Sequence, residues 1–162
     1  MGFFNRNTSR DAVDDTLPDE QWLAESHSIF DRTISGYYGS PETMAMGGVK
    51  NSGSGNHGVA MFFFQKSVDM LHTAYGFSQM SSRQPSPADA PIIQGYCDAL
   101  ASSISRHPSA DVSASVREVT HRLRSIATTC DGVGLQSALY RGGLDELARI
   151  APHVPVDDVF WT

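Results

Sequence analysis

The stretch "VAMFFFQKSVDMLHTAYGF", Val59 to Phe77, constrains the fold more than any other part of the chain. Taken as a helix at 100° per residue, it places Ala60, Met61, Val68, Leu71 and Tyr75 within about 60° of Phe64. Phe63, Met70, Ala74 and Phe77 widen the apolar arc to about 200°, whereas a helix packed on one side needs little more than 100°. Such a helix must lie in the middle of its domain or share its surface with a second chain. It is expected at about residues 57–76 as the central element.

"GSGNHG", Gly53 to Gly58, leads into this helix and matches the G-x-G-x-x-G dinucleotide fingerprint. That fingerprint works when a strand delivers the glycine turn, a helix N-terminus meets the pyrophosphate and an acid about 20 residues on holds the ribose. Here "TMAMGGVKNS" does not read as a strand, the stretch around Ser78 has no acid, and no second β-α unit follows. A P-loop fails as well, because Ser54 stands where the lysine belongs. The glycines read instead as a flexible Gly-rich loop, about residues 39–55, ending in a cap at Asn56.

Punctuation sets out the remaining helices. "TLPDEQW" offers Thr16 as N-cap and Pro18 in the first turn, before Leu23, Phe30, Ile34 and Tyr37 at helical spacing. "SPAD" offers Ser86 as cap and Asp89 at the capping-box position, ahead of Ile93, Cys97, Leu100 and Ile104. Val112, Val116, Val119, Leu123, Ile126 and Cys130 form another stripe, and "DGVG" supplies a glycine suited to a left-handed C-cap. A last helix covers Leu135 to Ile150, weakened at Gly142-Gly143. No segment of four or more residues alternates as a strand would.

The expected fold is all-α, an irregular bundle of four to five helices with α-hairpin packing. It forms one domain over 16–162 behind a flexible acidic leader, 1–15. Ala60 and Phe64 in "AMFFFQKSVDML" resemble the second helix of a tetratricopeptide repeat over a dozen residues, but no repeat period follows. What carries over is the analogy to α-hairpin scaffolds, which mostly bind other proteins.

A net charge of −6 argues against nucleic acid as the main partner. The longest apolar run, Val59 to Phe64, is far short of the roughly 20 residues a membrane span needs, and no signal-peptide core precedes it. A cytoplasmic protein is expected. Cys97 and Cys130 form no metal motif or disulfide framework and read as small buried hydrophobes. Arg117, Arg122 and Arg124, with His121, read as a solvated outer face.

Two helices carry an acid three residues before a histidine: Asp69/His72 in "DMLH" and Glu118/His121 in "EVTH". Di-iron carboxylate bundles use this spacing on two helices, with one acid from each of two others, for which Glu25 or Asp31 and Asp98 are available. Chance supplies such pairs in a chain with 18 acids and six histidines. The helical projection also turns Asp69, Glu118 and His121 away from the core, whereas bundle ligands point inward. No G-x-S-x-G, S-x-x-K or H-E-x-x-H nucleophile or metal motif is present.

The chain ends in "VPVDDVFWT", whose aromatics must dock on their own domain or on a partner. The expected function is a non-catalytic interaction or assembly module without cofactor, forming a homodimer. Its interface would draw on Phe62, Phe63, Met70, Phe77, Phe160 and Trp161. The alternative is a metal-dependent or small-ligand enzyme with a site in the helical bundle, at Asp69, His72, Glu118 and His121.

Overall fold

The computed structural model describes residues 12–76 and 84–154. Among them are six α-helices and no strand: α1 Asp19–Thr33, α2 Pro41–Gly53, α3 His57–Gly76, α4 Ala90–Arg106, α5 Ser113–Thr129 and α6 Leu135–Ile150. Short 3₁₀ turns cover Ile34–Tyr37 and Pro87–Asp89. No helix among the described residues is long and apolar enough to cross a membrane.

The helix α3 is central and packs against α1, α2, α4 and α5. Its two apolar flanks serve different parts of the core. Phe64, Val68, Leu71 and Tyr75 join the main cluster with Ile93, Cys97 and Leu100 of α4 and Val116, Val119, Leu123 and Ile126 of α5. Val59 and Phe63 join a smaller cluster with Ile29, Phe30 and Met44. The helix α6 closes the other side, adding Tyr140, Leu144 and Leu147 to the main cluster.

The expected loop over 39–55 is instead mostly helix α2, and this is the main correction to the sequence reading. Ser40 caps α2 by accepting from Thr43 N–H at 3.1 Å, with Pro41 in the first turn. Ser67 of α3 donates to the Pro41 carbonyl at 2.6 Å, which ties the start of α2 to its neighbour. Gly47 and Gly48 are buried because aromatic rings occupy the space where side chains would stand. A Cβ on Gly47 would lie 2.6 Å from the Phe63 ring, and one on Gly48 would lie 2.7 Å from the Phe64 ring. These glycines permit close helix packing rather than chain flexibility.

The "GSGNHG" segment is the turn between α2 and α3. Gly55 has φ +81°, the left-handed conformation that favours glycine. A Cβ on Gly58 would fall 2.5 Å from Ser26 Oγ and 2.9 Å from the Trp22 ring, so this glycine lets α1 cross α3 closely. Asn56 precedes α3, and its side-chain oxygen accepts from Val13 N–H at 3.1 Å.

Other starts are mixed. Ser86 and Asp89 form the expected capping box, and Tyr140 OH also donates to the buried Asp89 carboxylate at 2.7 Å. At α1 the cap position falls on Pro18, while Thr16 turns back to bond the Asp14 carboxylate through its N–H and hydroxyl. Gly134, at φ +66°, precedes α6 rather than closing α5.

Candidate functional site

The four metal candidates meet along the seam between α3 and α5, with a cation already among them. Arg122 Nε lies 2.9 Å from one Asp69 oxygen, and Lys66 Nζ lies 3.3 Å from the other. The Arg122 guanidinium also approaches Glu118 at 3.6 Å, and Gln65 donates to the second Glu118 oxygen at 3.1 Å. His72 Nε2 is 3.0 Å from Ser125 Oγ, and the His72 and His121 rings stand 6.2 Å apart. Burial first, then the charges of Arg122 and His121, hold the His72 imidazole below its usual pKa.

The helical projection turns Asp69, Glu118 and His121 away from the core; in the structure Asp69 is half-buried and Glu118 and His121 are exposed. The projection did not show that α5 lies alongside the same flank of α3, which brings them together. Among the described residues, no group of three or more His, Cys, Asp or Glu side chains is placed to hold a metal ion. Arg122, between Asp69 and Glu118, and Lys66, beside Asp69, supply the cationic charge there. The expected solvated basic face is likewise divided: Arg117 is exposed, Arg122 half-buried and Arg124 buried.

One end of the seam opens into a cavity of about 290 Å³ lined by His27, Phe30, Phe62, Gln65, Asp69 and Glu118, among others. His27 pairs with Asp31 at 3.2 Å and meets the Phe62 ring edge-on at 4.9 Å. A second groove, about 560 Å³, runs between α4 and α6 past Ile93, Cys97, Leu139 and Gly142. Burial pushes the Cys97 thiol up to about 12, so it is no nucleophile near neutral pH.

A buried polar cluster, absent from the sequence reading, joins the N-terminal segment to the end of α4. His107 is 4% exposed and stacks on Trp22, with ring centroids 4.0 Å apart. Its Nδ1 is 2.9 Å from Asp19 Oδ1, while the other Asp19 oxygen accepts from Ser109 N–H at 2.8 Å. Asp15 pairs with Arg106 at 2.9 Å. Asp15, within the expected flexible acidic leader, and Asp19, in the first turn of α1, are therefore bound to Arg106 and His107. The only sequence cue was "RHPS", which reads as a helix stop and carries no sign of its distant acids.

The proposed interface residues fall in different places. Phe63 is 0% exposed and covered within the chain, so it is not open to a partner. The reason is α2, whose Met44 and Gly47 cover the flank of α3 that sequence reading left bare. Phe62 and Met70 are half-buried against the smaller cluster. Phe77, Phe160 and Trp161 lie outside the described residues.

The large apolar side chains left in water include Met46 and Val49, 64% and 65% exposed on the outer face of α2, and Tyr38 just before it, 59% exposed. Val133 and Leu135, at the turn into α6, are also exposed. No protein-family model, curated protein or solved structure matches the chain.

Proposed function

We propose that this chain is a non-catalytic interaction module whose docking surface is the outer face of α2. The observation that carries the reading is the exposure of Met46 and Val49 on a helix whose inner face is closely packed. Isolated surface hydrophobics are ordinary, whereas neighbouring ones on a rigid helix form a contact patch. Such a patch is pre-organised, so a partner need not order it on binding. The two free, buried thiols accord with a reducing compartment, and we place the module in the cytoplasm.

A photo-crosslinking residue at Met46 tests this. It should yield discrete adducts in cells, while the same residue at exposed Thr129 on α5 should not. Equal patterns at the two positions, or none at Met46, refute the assignment.

The alternative is a metal-dependent or small-ligand enzyme using Asp69, His72, Glu118 and His121, which share the α3–α5 seam with Arg122. Stoichiometric iron, manganese or zinc in purified protein, lost when these four residues are replaced, would establish it over the interaction reading.

A further inference from the structure

Resting on the assignment of α2 as the docking surface, we propose that its partner is the same face of a second copy. The two helices would run antiparallel across a two-fold axis at Met46. The argument is self-complementarity. The outward positions of α2 are Glu42, Met46, Val49, Lys50 and Gly53, all exposed. Glu42 and Lys50 stand four residues on either side of Met46, about 6 Å along the axis in each direction.

A two-fold axis at Met46 therefore brings Glu42 of each copy level with Lys50 of the other, and Met46 against Met46. Parallel pairing would instead set Glu42 beside Glu42 and Lys50 beside Lys50. Charge thus selects the antiparallel arrangement. Both ends of the helix are then matched, acid to base, as a closed isologous contact requires.

The helix has 13 residues, about 20 Å of length. A face of that size buries less than the roughly 800 Å² per partner of a standard interface, so the dimer is weak and depends on concentration. Sedimentation equilibrium on the whole chain, up to about 1 mM, should show monomer passing into dimer. Met46→Asp should abolish that passage with the helical circular dichroism unchanged, since the side chain is largely in water.

Glu42→Lys and Lys50→Glu should each weaken association about 2- to 30-fold, because each sets like charges together at both ends of the contact. Combining them should restore it to within about twofold, because the pairs re-form with signs exchanged. A chain that stays monomeric throughout overturns self-pairing; crosslinks to another protein at Met46 would then leave the docking surface standing. A dimer indifferent to Met46→Asp overturns self-pairing through α2, and an absence of crosslinks at Met46 as well overturns the docking surface. A dimer lost in Met46→Asp but not rescued by the double exchange overturns the antiparallel register.

Discussion

Replacing Gly48 with alanine sets two opposing effects against each other on one helix. Alanine in place of glycine inside a helix gains about 1 kcal/mol, because less backbone entropy is lost on folding. Against this, the new methyl would lie 2.7–2.8 Å from three atoms of the Phe64 ring. The ring cannot simply move away. A Cβ on Gly95 of α4 would lie 2.5 Å from the same ring, so Phe64 is held between two helices at their glycines. Overpacking of this kind costs about 1–3 kcal/mol, and a ring confined on both sides belongs at the upper end of that range. The net expectation is a loss of about 1–2 kcal/mol, or a melting temperature lower by about 2–8 °C in a chain of this size.

Gly142 is the control, lying inside α6 with nothing within 4 Å of a Cβ. Gly142→Ala should therefore stabilise by about 0.5–1 kcal/mol. Urea unfolding at constant m-value compares the two. Phe64→Leu in the Gly48→Ala background should cost less than in the native chain, with a coupling of about 1 kcal/mol. If Gly48→Ala stabilises as Gly142→Ala does, or the double mutant is additive, Gly48 does not pack on Phe64. Helix α2 would then lie elsewhere.

Leu71→Ala, at a buried core position, should cost about 2–5 kcal/mol, and His72→Ala about 1 kcal/mol or less, both read by urea unfolding. The hydrogen bond to His107 holds the Asp19 carboxyl below the usual carboxylate range. A lowered folded-state pKa gives stability that is present above about pH 4 and lost as pH falls below it. Asp19→Asn should therefore flatten the acid limb of the stability curve, measured by unfolding between about pH 2 and 6. Cys97 and Cys130 are buried, and desolvation raises both thiols, so Ellman's reagent should react with neither until the chain unfolds. Rapid labelling of the native protein would show that the α4–α6 groove admits solvent to Cys97.

The sequence alone determined the elements whose signals are local. The stripes of α4 and α5, the Ser86–Asp89 capping box and the wide apolar arc of α3 depend on spacings of three or four residues, which any helix converts into a face. The central place of α3 followed from the width of that arc.

The identity of its cover did not. Ser40-Pro41-Glu42 opens α2 much as Ser86-Pro87 opens the turn into α4, so a start signal was present. Gly47 and Gly48 outweighed it, since glycine has the same local preference whether it serves a loop or a tight helix contact. Only the rings of Phe63 and Phe64, brought across by the α2–α3 hairpin, distinguish the two. With 39–55 read as loop, α3 has a bare flank left for a second chain to cover. Arg122 between Asp69 and Glu118, and His107 beside Asp19, were hidden for a similar reason. Asp69 stands 53 residues from Arg122 and Asp19 stands 88 from His107, and pairings at that distance are set by how the helices pack.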